Sequence, residues 1–187
     1  ARTDPHVAPR ELHELHLYAF REGVRRGKPM GVMSSYNDWD GVPVTASSYF
    51  LIDLLRNEYG FDGYVVSDSE AVEFVHTKHR VAETYEDAVR QVLEGGLNVR
   101  TNFTPPEDFI MPVRSLVAKD PKFIKVVDQR VAEVLSVKFR LGLFDTPFMD
   151  AAPADQIVGA DKNDDFIHQM QAQSLVLLKN AGGLLPL

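Results

Sequence analysis

The residue best placed to do chemistry is Asp68, which directly follows Tyr64-Val65-Val66-Ser67. Nothing in that apolar run calls for a carboxylate at its end, and Glu70 supplies a second one two residues later. Two carboxylates flanking a glycosidic bond, with a tyrosine and an arginine to hold hydroxyls and tune charge, are the minimal kit for retaining glycoside hydrolysis. In that chemistry Asp68 attacks the anomeric carbon, and an acid about 5 to 5.5 Å away protonates the leaving oxygen. Glu70 fits that acid by spacing, but it fits a hydrogen-bonding partner behind the site or an exposed turn residue equally well, and the last is the commoner role. Asp68 has plain alternatives too, as a helix N-cap, which Asp favours, or as a surface residue.

Such residues need elements to hold them. Short apolar runs at Met30 to Ser35, Tyr64 to Ser67 and Leu97 to Val99 recur at roughly the length of a βαβ unit. Between the first two, Ser47 can cap a helix with Leu51, Leu54, Leu55 and Tyr59 on its apolar face, ended by Gly60. Between the second and third, Thr84 and Asp87 form a capping pattern, Ala88, Val89, Val92 and Leu93 make the stripe, and Gly95-Gly96 stops it. The order is therefore β-α-β-α-β, and continuous apolar strands suit a parallel sheet buried on both faces. In such sheets function gathers at the carboxyl ends of the strands, where the three runs deliver Tyr36 and Asn37, Asp68 and Glu70, and Arg100 and Asn102.

Further helical patterns span Glu11 to Arg26, Glu107 to Ala118 and Lys122 to Leu141, the last with Val127, Val131, Val134, Leu135 and Phe139 facing inward. The stretch from Asp145 to Ala160 lacks periodicity and reads as a surface segment. A final helix is predicted over Asn163 to Leu178, with Leu175 to Leu178 buried.

Composition excludes several classes. With 20 basic against 27 acidic side chains the formal charge is -7, which argues against nucleic acid as a partner. No run of about 18 apolar residues predicts a membrane span, and the absence of cysteine removes disulfides, thiolate zinc sites and a thiol nucleophile. His13 and His16 are spaced i, i+3 where a zinc helix of the His-Glu type needs i, i+4, and His76 with His79, at the same spacing after the Asp68 loop, makes a poor metal pair. No metal and no cofactor is expected. Arg21, Arg25, Arg26 and Lys28 read as cations at the end of a helix, complementing its dipole.

The motifs then resemble a family. Gly31-Val32-Met33-Ser34-Ser35-Tyr36-Asn37, Asp40-Gly41-Val42-Pro43 and Leu54 through Asp68, with its Gly-Phe-Asp-Gly-Tyr-Val-Val-Ser-Asp end, resemble the nucleophile region of glycoside hydrolase family 3, the β-glucosidase and β-xylosidase family. Lys138 to Asp145 resembles the end of that family's barrel domain, and Ser174 to Asn180 with Leu184 to Leu187 resembles the entry to its α/β sandwich domain. Two positions depart from the pattern: Ser69 stands where a Trp often follows the nucleophile, and Gly96-Leu97-Asn98-Val99 replaces a Gly-x-Asp-Met pattern.

The resemblance implies an α/β fold, a partial (β/α)8 TIM-like barrel of about three C-terminal β/α units plus a helical linker segment. Residues 1–144 would be the later part of the barrel domain, and 145–187 a linker towards a sandwich domain. It implies a retaining exo-acting β-glycosidase that removes terminal β-D-glucosyl residues through a glycosyl-enzyme intermediate on Asp68, with Tyr36 hydrogen-bonding nearby and Met33 lining the sugar subsite. Glu70 and Arg100 join them as candidate substrate-binding residues on their strand-end position. The expected partners are a β-linked oligosaccharide or glycoside and the rest of the same enzyme, the missing barrel half and sandwich domain, in a periplasmic or secreted setting. A β-xylosidase, or a non-catalytic fragment that only associates with the missing half, are the alternatives.

Overall fold

The computed structural model describes residues 4–148 and 150–186. Residues 1–3 and Leu187, the outer ends of the two expected segments, lie outside the described residues. The chain divides into two units, residues 1–144 and residues 145–187.

In the first unit, α1 (Pro9–Glu11) runs into wide turns over Leu12–His16, closed by the Leu17 N–H on the Leu12 carbonyl, and then into α2 (Tyr18–Gly27). Wide turns of this kind rotate everything downstream relative to a 3.6-residue period. The apolar residues of the helical pattern from Glu11 to Arg26 therefore do not share one buried face: Leu12 and Val24 are buried, whereas Leu15 and Phe20 are exposed. The strand β1 (Gly31–Met33) follows, and then a hairpin of β2 (Asp38–Trp39) and β3 (Val42–Pro43). Asp40 and Gly41 turn it with φ of 52° and 78°, the left-handed pair that a two-residue hairpin loop needs.

The helix expected after Ser47 forms over Tyr49–Glu58, again with i→i+5 bonding at its end, where the Tyr59 N–H meets the Leu54 carbonyl. Ser47 Oγ accepts from the Phe50 N–H at its start. Leu51, Leu54, Leu55 and Tyr59 are all buried as the spacing predicts, and Gly60 leaves the helix at φ +76°. Then comes β4 (Tyr64–Val66), parallel to β1 with Val32 opposite Val65. Gly63 permits this approach, because a Cβ there would run into the Met30 carbonyl. Helices α3 (Ala71–Thr77) and α4 (Tyr85–Gly95) come next. Thr84 Oγ1 accepts from the Asp87 N–H at 3.1 Å, and Gly96 at φ +113° ends α4.

The third strand is shorter than expected. Between Leu97 and Val99 the structure has one parallel bridge, Val66 to Val99, with Val99 N–H on the Val65 carbonyl and Ser67 N–H on the Val99 carbonyl. The ladder stops there because the Val65 N–H is taken by a side chain, Asn98 Oδ1, at 2.7 Å. Asn98 Oδ1 also accepts from Arg56 Nη2 at 2.9 Å, and its amide donates to the Arg130 carbonyl at 2.9 Å and to Glu133 Oε2 at 2.6 Å. Val65, in the middle of the sheet, is fully buried.

Helices α5 (Glu107–Lys119) and α6 (Ile124–Arg140) close the unit. The inward face of α6 is only partly the one read from its apolar residues: Val127 packs half-buried against the core and Val134 is half-buried, but Val131, Leu135 and Phe139 are exposed, and Arg130 and Val137 are the buried positions. An arginine occupies the central core position because Glu133 is there to meet it, with Arg130 Nη2 at 3.4 Å and Arg56 Nη2 at 2.9 Å from the Glu133 carboxylate. Burial lowers the pKa of both guanidinium groups, and for both the Glu133 charge works against that shift.

In the second unit, Asp150 caps α7 (Ala151–Ile157) through the Ala152 N–H, inside the stretch expected to be irregular. α8 (Asp164–Ser174) ends before Leu175, whose backbone is extended. Leu175 to Leu178 are therefore neither helical nor buried, with exposures from 61% to 92%. Asn180 closes the turn that follows, donating to the Leu185 carbonyl and accepting from the Leu185 N–H. Among the described residues no helix is long and apolar enough to cross a membrane.

Substituting Asn98→Ala leaves the Val65 N–H without its acceptor, and is expected to cost about 1 to 3 kcal/mol, the penalty for one unpaired buried group. Asn98→Asp is also expected to destabilise, because it sets a carboxylate against Glu133 and removes the donor to Arg130. Denaturant melts of the intact protein check both; an unchanged midpoint in the Ala variant would overturn the role given to Asn98.

Candidate active site

Asp68 stands at the carboxyl end of β4, the middle of the three parallel segments. Its neighbours in the chain are held from both sides. On the third segment, Ser67 Oγ accepts from the Thr101 N–H at 2.9 Å, and the Glu70 N–H donates to the Thr101 carbonyl at 3.2 Å. On the β1 side, Tyr36 Oη donates to the Ser69 carbonyl at 2.6 Å. Asp68 itself is half-buried, and its Oδ1 accepts from the Ser69 N–H at 2.7 Å. This bond is not helix capping. The residue before α3 is Glu70, in the left-handed region at φ +61°, and no side chain caps the helix there. The carboxylate is thus oriented by its own turn.

The candidate residues fall into two groups around this turn. Tyr36 lies against Phe74 of α3, ring centroids 5.5 Å apart, with its hydroxyl on the Ser69 carbonyl. Met33, at the end of β1, is exposed at the same sheet end. Glu70 is exposed and lines a cleft of about 490 Å³ between α3, α4 and the loop after Val99. Arg100 lines this cleft but is turned into the protein. Its Nε and Nη2 lie 2.7 and 2.6 Å from Glu73 Oε1, Nη2 also reaches Thr104 Oγ1, and the side chain is 6% exposed. Tyr85 Oη donates to the same Glu73 oxygen at 3.1 Å. A guanidinium so engaged ties the third loop to α3.

Three residues important to this geometry carry no motif. Glu73 and Tyr85 surround Arg100, and the only hint of Glu73 is that an arginine at a buried strand end requires a carboxylate within reach. His79, buried to 7% exposure, places Nε2 3.0 Å from the Tyr36 carbonyl and Nδ1 3.8 Å from Asp38 Oδ1. Its partner His76 meets the Ala82 carbonyl instead, and His13 meets Tyr49 Oη at 2.8 Å.

Burial, followed by the Glu73 charge, drives the Tyr85 phenol well above its ordinary pKa, while the Arg100 charge pulls the other way. The unfolded phenol ionises near pH 10 and the folded one later, so this contribution to stability is complete below about pH 10 and is lost progressively above it. Melting temperatures taken from pH 8 to 11 are expected to fall less steeply above pH 10 in Tyr85→Phe than in the parent; parallel curves would show that Tyr85 does not titrate with folding.

Comparison with known proteins gives the family. The model of the glycosyl hydrolase family 3 N terminal domain matches residues 2–137. A β-xylosidase of Formosa agariphila is 30% identical over 185 residues, 97% of this chain and 26% of the relative. A periplasmic β-glucosidase of Salmonella typhimurium is 30% identical over 186 residues, again 97% of this chain and 24% of the relative. Among solved structures, a β-glucosidase of Erythrobacter marinus superposes with a TM-score of 0.82 at 32% identity, covering 97% of this chain and 24% of that one. A Listeria innocua β-glucosidase in complex with glucose gives 0.83 at 29%, with the same coverage. The chain spans about a quarter of the length of these relatives. With the family model spanning most of the chain, this chain belongs to glycosyl hydrolase family 3, its residues 2–137 matching the N-terminal domain of that family.

Proposed function

We propose that this chain carries the nucleophile of a retaining, exo-acting β-glycosidase, and that Asp68 forms the glycosyl-enzyme intermediate. The observation that carries the reading is the setting of Asp68: a carboxylate at the central strand end, oriented by the Ser69 N–H, in a turn anchored to both neighbouring segments. A nucleophile needs this fixed approach, since a well-oriented attack saves much of the entropic cost of bringing the reactants together. Among the described residues its hydrogen bonds reach Oδ1 alone, which leaves Oδ2 for the anomeric carbon. The leaving oxygen takes its proton from an acid, and water then opens the ester with overall retention.

Tyr36 would hold the turn and Met33 would line the sugar subsite. Arg100, tied to Glu73, would act on substrate through the shape of the third loop more than by direct charge. Glu70, exposed at the mouth of the cleft, has the reach of a rim residue that meets the substrate. The rest of the barrel and a sandwich domain would come from the remaining length that the relatives possess. Residues 1–144 would then be the later barrel units and 145–187 the linker, acting on a β-linked glycoside in the periplasm or outside the cell, as the name of the Salmonella relative suggests. Terminal glucose is the leading substrate and xylose the second reading, which the Formosa relative favours to the same degree by identity.

In the intact protein, Asp68→Ala is expected to lower kcat on an aryl β-glucoside or β-xyloside by at least about a thousandfold. Added azide should restore turnover by attacking from the vacated face and displacing the aryl alcohol to give the α-glycosyl azide. Full hydrolysis by the Ala variant would remove Asp68 from the mechanism, and the ratio of kcat/KM for the two glycosides decides between the sugars.

A further inference from the structure

His79 lies outside every motif, and its surroundings form a closed circuit around the candidate nucleophile. The chain leaves Asp68, passes Ser69 and Glu70, runs through α3 and arrives at His79. From there Nε2 meets the Tyr36 main-chain carbonyl at 3.0 Å. Tyr36 carries the circuit back: its ring packs on Phe74 of the same helix, and its hydroxyl donates to the Ser69 carbonyl at 2.6 Å, one peptide from the carboxylate. On the other ring edge, Nδ1 faces Asp38 Oδ1 at 3.8 Å, so the carboxylate of β2 lies beside the ring. The side chain is only 7% exposed.

We infer that His79 is a positioning residue for the Asp68 nucleophile, acting through Tyr36. The inference rests on the reading of Asp68 given above. A carbonyl can only accept, so Nε2 carries the proton and the ring donates to Tyr36. This bond fixes the main chain of Tyr36 at the β1 end, and the fixed main chain aims the tyrosine hydroxyl at Ser69. Without it the Tyr36 carbonyl loses this donor, and the β1 end can shift by the fraction of an ångström that separates a productive approach from an unproductive one. His79 touches neither substrate nor reacting atoms. Its loss should therefore slow the chemical step while leaving ground-state sugar binding nearly intact.

The amide of glutamine lies as many bonds from Cα as histidine Nε2 and can donate to the same carbonyl; that of asparagine falls at the Nδ1 distance and cannot. In the intact protein, His79→Ala is expected to lower kcat on an aryl β-glycoside by about ten- to a hundredfold, with KM changed less than about twofold. His79→Gln should recover most of the loss, and His79→Asn should not. Melting temperatures measured in parallel separate this from simple unfolding, which would lower stability and activity together and would not distinguish Gln from Asn. If Ala fails to fold, the Gln and Asn contrast decides alone. Wild-type kcat in the Ala variant, equal behaviour of Gln and Asn, or a Gln variant no better than Ala each overturns the role of His79. The Asp68→Ala control keeps the two readings apart: an active control overturns the nucleophile assignment, whereas an inactive control with a normal His79→Ala overturns the positioning role alone.

Discussion

The architecture depends on how one amide, that of Asn98, is satisfied. It takes the Val65 N–H that a longer third strand would have bonded, and it reaches Arg56, the Arg130 carbonyl and Glu133 at the same time. Four elements therefore meet at one side chain: β4, the helix over Tyr49–Glu58, the third segment and α6. Two guanidinium groups share the single Glu133 carboxylate around it. Removing charges from water costs several kcal/mol per ion unless geometry and extra hydrogen bonds offset it. Here the offset is incomplete, since Arg56 Nε and both Nε and Nη1 of Arg130 find no partner among the described residues. Such a hub adds little stability compared with an apolar core, but it permits few alternative registers. That is what a central strand ending in a chemical group requires.

The consequences run along β4 to its other end. With Val65 held, Ser67 and Asp68 emerge at a defined height, and the Ser67 hydroxyl on Thr101 carries the third segment up alongside. The two flanks of the Asp68 turn are then anchored by different physics. On one side an ion pair, Arg100 with Glu73, ties the third loop to α3. On the other, neutral contacts of Tyr36 with Ser69 and Phe74 tie the β1 end to it. Helix α3 is the common anchor, which explains why a helix of only seven residues is buried at Ala71, Val72, Phe74 and Val75.

Much of this was legible in the residues, and what was not has identifiable causes. Leu51, Leu54, Leu55 and Tyr59, the Thr84 cap and the Gly96 stop follow from local rules, because side-chain spacing and backbone freedom act within a turn or two. The Asp40-Gly41 hairpin had an equally local signal, the Asp-Gly pair between short runs, that the family pattern alone had drawn attention to. Arg130 on the inward face of α6 could not be read from periodicity, since the rule assigns charge to the outside and the Glu133 carboxylate reverses it. The single bridge at Val99 fails for the same reason. A side chain competes with the backbone for the Val65 N–H, and strand propensity says nothing about that competition.

The two strand-end arginine and tyrosine candidates show how far residue type alone can guide a functional reading. Tyr36 and Arg100 occupy matching places, one segment to either side of Asp68, and both suit a sugar hydroxyl by type. Their surroundings separate them. Tyr36 Oη ends beside the Ser69 peptide, close to where the carboxylate would react. Arg100 is buried against Glu73, and turning its guanidinium towards a substrate would leave that carboxylate without its cation while its Oε2 is already unpartnered. The energy of a buried, uncompensated carboxylate exceeds what one neutral sugar hydroxyl returns in a hydrogen bond. Arg100 is thus held by Glu73 within the fold, and any direct contact with a sugar hydroxyl would have to offset the loss of that pair.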